Sequence, residues 1–224
     1  MIIGLSGLAR QGKDTVGSIL TSILGYDTYS LASPIKKITG AFLGWHQDEM
    51  FEISRGEDQL CVITNATYEK SREVMQEVGF YSAVVEAGVE HLFDTKEALM
   101  KTMGFDDYLF SIPPRRVWQH FGTEVGRKLV KDSIWLDLVP TGSDNLVITD
   151  VRFENESEFL RDKGGIIVHV FRDNKVRSVG GIENHQSEAG IEKHPKDYVL
   201  MNTGSLDDLQ DKVKFMLKEL SIEP

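Results

Sequence analysis

The sequence predicts an α/β fold: a doubly wound parallel sheet of about five strands with helices on both faces. Three observations predict it. Apolar, β-rich runs at 1–6, 145–149 and 166–171 are nearly unbroken, as in strands buried on both faces of a parallel sheet. Residues with apolar positions at three- and four-residue spacing, the period of a helix, follow the first of them. Between that strand and its helix lies Gly7-Leu8-Ala9-Arg10-Gln11-Gly12-Lys13, a G-x-x-x-x-G-K run. Strand–helix units with such a loop on the first turn place ligands at the carboxyl ends of the strands.

Each element can be justified in order. In the first loop, glycines let backbone N–H groups turn inward around a polyphosphate, and Lys13 offers charge to its β- and γ-phosphates. The following helix carries Val16, Ile19, Leu20, Ile23 and Leu24 and points its positive end at the same anion. The residue after the lysine is usually Ser or Thr; here it is Asp14, then Thr15. Either a carboxylate stands near a metal ion, or Thr15 supplies the hydroxyl, or Asp14 assists an acceptor. Residues 26–31 read as a second strand. Ser33 as N-cap and Pro34 at N1 then open a helix to about Leu43. Lys36 and Lys37 in its first turn oppose the helix dipole, which suits a bound anion and equally two solvated lysines.

Residues 45–112 read as a mostly helical insertion, with helix near 50–55 and 96–103, mixed apolar spacing over 67–91, and no strand pairs. Pro113-Pro114 breaks the chain. A long helix over 115–130 carries Val117, Phe121, Val125 and Leu129 as an i+4 apolar stripe, with Arg115, Arg116, Gln119, Thr123 and Arg127 off it. A short helical piece over 133–138 holds Trp135. Strand 145–149 ends in Asp150-Val151-Arg152, and helix 155–163 and strand 166–171 follow. Residues 172–196 are polar and without period, as a lid-like loop would be. Strand 198–201 and a helix to about Leu220, opened by a capping box at Ser205 and Asp208, complete the chain. The 224 residues are read as one domain, 1–224.

Composition narrows the classes. No segment approaches the roughly 18 apolar residues of a membrane span, and no basic-then-apolar leader opens the chain. The single cysteine, Cys61, excludes an internal disulfide and a cysteine-based zinc site, which suits a reducing cytoplasm. A formal charge of −10 argues against a nucleic-acid partner.

Several residues could carry chemistry, each beside a plainer role. Asp150 could hold a magnesium water or an acceptor group, or simply end its strand in a turn. Arg152 could pair with a phosphate, or with Glu154 or Glu156. Glu156 divides between acceptor contact and first-turn helix charge. Arg115, Arg116 and Gln119 could clamp an anion and read a base edge, or form a solvated helix face. Ser33 is a cap first and a ligand second. Arg172 and Arg177 suit a lid that carries positive charge to a transferring phosphoryl group, or an ordinary basic loop. His185-Gln186-Ser187-Glu188 lacks the order of a zinc motif, His169 reads as a core residue, and Cys61 as inert.

The motifs occur in the order Gly-x4-Gly-Lys-Asp-Thr (7–15), Leu31-Ala32-Ser33-Pro34-Ile35-Lys36, Arg115-Arg116-x2-Gln119-x2-Gly122-Thr123-Glu124, Trp135, Val147-Ile148-Thr149-Asp150-x-Arg152-x3-Glu156 and Asn202-x-Gly204-Ser205-Leu206. This combination resembles the deoxynucleoside monophosphate kinases of tailed bacteriophages, within the nucleoside-monophosphate kinase group of P-loop folds. The resemblance runs over most of the chain outside 45–112. It implies phosphoryl transfer from ATP to a deoxynucleoside monophosphate with Mg2+. It assigns Gly7, Arg10, Gln11, Gly12, Lys13, Asp14, Thr15, Asn202, Gly204 and Leu206 to ATP. Ser33, Lys36, Arg115, Arg116, Gln119, Gly122, Thr123, Trp135, Asp150, Arg152 and Glu156 go to the monophosphate. Asp14, Thr15 and Asp150 are the metal candidates, and Lys13, Asp14, Arg152 and Arg172 the catalytic ones. It also implies a homodimer in the host cytoplasm, with no nucleic-acid or membrane partner. The rivals are a P-loop kinase of another phosphorylated acceptor, such as phosphomevalonate or dephospho-coenzyme A, and an ATP-dependent switch that is no kinase.

Overall fold

The computed structural model describes residues 1–45, 57–140, 145–172, 182 and 185–223. In chain order the elements are β1 (Ile2–Ser6), α1 (Lys13–Leu24), β2 (Asp27–Tyr29), α2 (Ala32–Leu43), β3 (Gln59–Val62), α3 (Asn65–Glu77), α4 (Phe80–Glu86), a 3-10 turn (Glu90–Leu92), α5 (Lys96–Thr102), β4 (Leu109–Ile112) and α6 (Pro114–His120). A π-helix (Phe121–Val130), α7 (Ile134–Asp137), β5 (Leu146–Val151), α8 (Glu154–Asp162), β6 (Ile166–Phe171), a 3-10 turn (Gln186–Glu188), β7 (Tyr198–Met201) and α9 (Leu206–Glu219) follow. The described residues group into two compact units, one drawn from 1–31, 140–177 and 186–224, the other from 32–139 and 178–185.

The first unit holds the expected sheet: five parallel strands in the order β2-β5-β1-β6-β7. β1 is central because its side chains are apolar or small on both faces. Ile3 and Leu5 point to one side, where they pack with Val16 and Leu20 of α1 and Leu209, Val213 and Met216 of α9. Gly4 points to the other, where a Cβ would sit 2.7 Å from Leu160 of α8, so that helix approaches the sheet closely. Helices therefore cover both faces.

A buried polar knot ties the chain before β7 to this unit. The Asp197 carboxylate accepts from Arg161 Nε at 3.0 Å and Nη2 at 2.7 Å and from the His194 N–H at 2.8 Å, and it lies 2.9 Å from His169 Nε2. Burial alone would raise that carboxyl; the bonds from Arg161 and His169 outweigh it and hold Asp197 below the usual range. His169 is a core residue, as expected, with this carboxylate as its partner.

The second unit is mostly helical, built on an aromatic core in which Trp135 stacks on Phe80 at 5.4 Å and Phe80 meets Phe93 and Phe121. Here the structure departs from the sequence reading. β3 and β4 form an antiparallel ribbon where no strands were expected, with Cys61 opposite Phe110. α2 begins at Ala32, so Ser33 and Pro34 lie inside its first turn rather than at N-cap and N1; proline is tolerated there because its missing N–H has no intrahelical partner. The long helix begins at Pro114 and changes from α to π winding at Phe121, with Lys131 N–H bonding Gly126 O at 3.0 Å, five residues back. Wider winding turns Leu129 off the stripe, and it is 42% exposed while Val117, Phe121 and Val125 are buried.

In the first unit β2 is three residues rather than six, and Asp150 lies within β5 rather than beyond it. The capping box at Ser205 and Asp208 is present. The helix expected near 50–55 lies outside the described residues. So does Arg177, with most of the loop around it.

Candidate functional site

The site is built outward from the turn between β1 and α1. Gly7 and Gly12 hold φ of +145° and +93°, a region that L side chains avoid. A Cβ on Gly7 would stand 2.5 Å from the Val170 carbonyl oxygen, and one on Gly12 would collide with the Asn202 side-chain amide. That amide donates to Gln11 O at 2.8 Å, while Gln11 Oε1 accepts from Leu8 N–H at 2.8 Å. The loop is thus pinned at its middle and at its end.

Lys13 opens α1 and folds back across the loop, donating to Gly7 O at 2.7 Å and Leu8 O at 2.8 Å. Burial, with repulsion from the Arg152 guanidinium, lowers Lys13 to about 8 against the pull of Asp14, Asp150 and Glu188. A buried ammonium with two carbonyl partners between Gly7 and Gly12 has the charge that a polyphosphate cradle requires. The α1 N-terminus supplies the rest.

Asp14 and Thr15 are both exposed in the first turn of α1. Asp150 accepts from Ser30 Oγ at 2.8 Å and Leu31 N–H at 2.7 Å, so it fastens the chain after β2. Arg152 pairs with Glu188 at 3.4 Å, not with the neighbouring Glu154 or Glu156. Glu156, 3% exposed, accepts the N–H groups of Arg152 at 2.7 Å and Phe153 at 3.1 Å and so closes the α8 N-terminus. Beside the loop runs a narrow cleft lined by Gly7, Leu8, Ala9, Arg152, Ser187 and Glu188. Asn202 sits buried at the end of β7, Gly204 and Leu206 are exposed just beyond it, and Arg172 is exposed at the end of β6.

The other expected residues fall in the second unit. Ser33 and Lys36 share a turn of α2, and Lys36 Nζ lies 5.2 Å from the centre of the Trp118 ring on α6. Arg115 and Gln119 are buried on α6 and Arg116 is exposed. Gln119 Oε1 accepts from the Ile182 N–H at 2.6 Å. Gly122 and Thr123 belong to the π-helix, and Trp135, 2% exposed, donates from Nε1 to Gly122 O at 2.8 Å.

Sequence reasoning missed Trp118, Glu188 and the clamp on Gln11. Glu188 carries a signal, a carboxylate in a polar loop, but the sequence presents it only within His185-Gln186-Ser187-Glu188, a run that lacks the order of a zinc motif. Cys61 is buried, and burial pushes its thiol up to about 12. Among the described residues no three His, Cys, Asp or Glu side chains cluster as a metal site, and no helix is long and apolar enough to cross a membrane.

Comparison with known proteins gives this geometry a family. The model of the family described as deoxynucleotide monophosphate kinase matches residues 1–213. The chain is 29% identical to a deoxynucleoside-5'-monophosphate kinase of Escherichia phage T5, covering 100% of this chain and 98% of that one. It is 28% identical to a deoxynucleotide monophosphate kinase of Escherichia phage RB69, over 97% and 99%. With that of Enterobacteria phage T4 it shares 25%, over 98% and 99%. The family match over residues 1–213 and the end-to-end likeness to these enzymes, on a parallel sheet with a glycine-turned loop after its central strand, identify the chain as a kinase belonging to the deoxynucleotide monophosphate kinase family.

Proposed function

We propose that the protein transfers the γ-phosphoryl group of ATP to a deoxynucleoside monophosphate, giving ADP and the deoxynucleoside diphosphate. A phosphate oxygen of the acceptor attacks the γ-phosphorus in line as the bond to the β-phosphate oxygen breaks. The observation that carries the reading is Lys13, held across a loop whose two glycines take positive φ. Gly7, Arg10, Gln11, Gly12 and Lys13 hold the phosphates of ATP, and Asn202, Gly204 and Leu206 serve its nucleoside end. The monophosphate is the ligand of Ser33, Lys36, Arg115, Arg116, Gln119, Gly122 and Thr123, with Trp135, Asp150, Arg152 and Glu156 contributing as ligands or supports. Arg152 and Arg172 bring charge to the transferring group, and 172–196 acts as a lid. Phosphoryl transfer asks mainly for positioning and neutralised charge, which these side chains supply.

The donor set also suits magnesium. Asp14 and Thr15 offer hard oxygen ligands at the mouth of the loop, and Mg2+ keeps most of its shell as water and substrate phosphate rather than protein. Asp150, with both oxygens engaged by Ser30 and Leu31, would act on it through water. Bound there, the ion would neutralise phosphate charge. We further propose one functional domain over 1–224, a homodimer by analogy with the family, and a cytoplasmic setting, which a lone buried cysteine fits.

The test is ADP release with ATP, magnesium and each of dAMP, dGMP, dCMP, dTMP and their ribose counterparts. Turnover that requires a deoxynucleotide supports the reading. Release without any acceptor would make the protein an ATPase, and silence with all eight in protein that binds ATP would overturn the kinase reading.

A further inference from the structure

The winding of the helix that carries Gly122 and Thr123 has an identifiable cause. An α-helix is the default for this stretch, and ten residues of π winding persist only where the surroundings over-determine them. Those surroundings centre on Trp135. Its indole N–H donates to Gly122 O at 2.8 Å, giving that carbonyl a partner from outside the helix. Its six-membered ring occupies the space over Gly126, where a Cβ would collide with Trp135 Cζ2 and stand 2.7 Å from Cε2. The ring is fixed from behind by Phe80, stacked at 5.4 Å and 6°, and flanked by Phe121 at 6.1 Å. At the C-terminal end Arg127 Nη1 donates to the Asp132 carbonyl at 2.8 Å, which holds the exit of the π segment.

Trp135 is 2% exposed, and its one polar atom is engaged. It has neither a free ring face nor a free donor for a nucleotide. We propose that Trp135 is a positioning residue: it holds residues 121–130 in π winding, and through that winding sets Gly122 and Thr123 relative to Gln119 and Arg115, one and two turns earlier. This deepens the reading of the helix as the monophosphate's binding element and rests on it, but it reassigns Trp135 from a residue touching substrate to one acting through the Gly122 carbonyl.

The experiment replaces Trp135 by Phe, which keeps an aromatic ring and removes the N–H, and by benzothienylalanine, which keeps the full shape and removes only the N–H. The second variant carries the test if the first does not fold. Amide hydrogen exchange is read first because it needs no substrate: faster exchange at Lys131 and its neighbours with α6 unchanged is the expected result. Steady-state kinetics then separate the two substrates. A KM for the monophosphate raised about tenfold or more, with KM for ATP within twofold, supports the proposal. Gly126→Ala should do the same in the wild-type chain and do far less beside Trp135→Phe, because both changes undo one winding. Unchanged exchange overturns the proposal, as does a lowered melting temperature with both KM values unmoved, or KM values for ATP and monophosphate rising together. Changed exchange in a protein whose wild-type form binds no deoxynucleoside monophosphate would leave the winding claim standing and sink the functional reading.

Discussion

The phosphate loop and the π-wound helix both combine glycines with basic residues, yet their shapes have different origins. In the loop, Gly7 and Gly12 adopt positive φ, and the residues that fix them, Gln11 and Lys13, lie within the same seven positions. The Asn202 amide on Gln11 and the Val170 carbonyl against Gly7 are brought from afar. In the helix no glycine is in a left-handed conformation; Gly126 is there to let the Trp135 ring in, and Gly122, whose carbonyl accepts from Trp135, leaves room for Ile35. The first shape is written locally and the second is imposed by packing. A local shape should fail through single residues of its own, and an imposed one should be robust wherever the imposing side chain does not reach.

Lys13→Ala should break the loop's function most. With the charge gone, kcat/KM for ATP should fall about a thousandfold in an ADP-release assay, while circular dichroism stays that of the folded chain. Gly12→Ala should follow. It forces a Cβ into the Asn202 amide at a φ of +93°, which should cost about 1–3 kcal/mol of stability by chemical denaturation and weaken ATP binding as the Gln11 clamp gives way.

The pH profile comes next. Lys13 stands at about 8, and only its ammonium form attracts phosphate, so ATP affinity is full below that value and declines as pH rises through it, by about tenfold per unit beyond. An affinity unchanged between pH 7 and 9.5 would show that another group carries the phosphates' charge. The smallest effect sharpens the other side. Leu129→Ser should change stability by no more than about 0.5 kcal/mol, whereas Val125→Ser, on the buried side of the same helix, should cost several times more. An α-helix would have made the two substitutions similar.

This contrast also explains what could be read from the chain alone. β1, β5 and β6 were legible because each is an apolar run buried by its own composition, and the turn between β1 and α1 because its glycines and lysine recur at a recognisable spacing. The β3–β4 ribbon was not. Its outer face carries Leu60 and Leu109, 60% and 65% exposed, so the polar alternation that marks a half-buried strand is absent. The start of α2 was misplaced because the Leu31 N–H is met by Asp150, 119 residues away, and not by a local cap. Among site residues Lys13 was legible, whereas the engagements of Asp150 with Ser30, Arg152 with Glu188 and Gln119 with Ile182 depend on partners distant in the chain.

The order of the strands in the sheet has a consequence for how the protein is made. β1 pairs with β5 and β6, whose residues lie more than 140 positions further on, and β2 pairs with β5 alone. As the chain leaves the ribosome, the turn between β1 and α1 appears long before the sheet partners of β1 and gains a stable shape only after they arrive. Residues 32–139, which form most of one unit, can collapse on contacts that are already present. The first strand must then wait, apolar on one face, until the last third of the chain arrives, and closing so long a span slows the step. Chaperone dependence and off-pathway aggregation should therefore concentrate in chains stopped before β5, and should fall away once β6 has emerged.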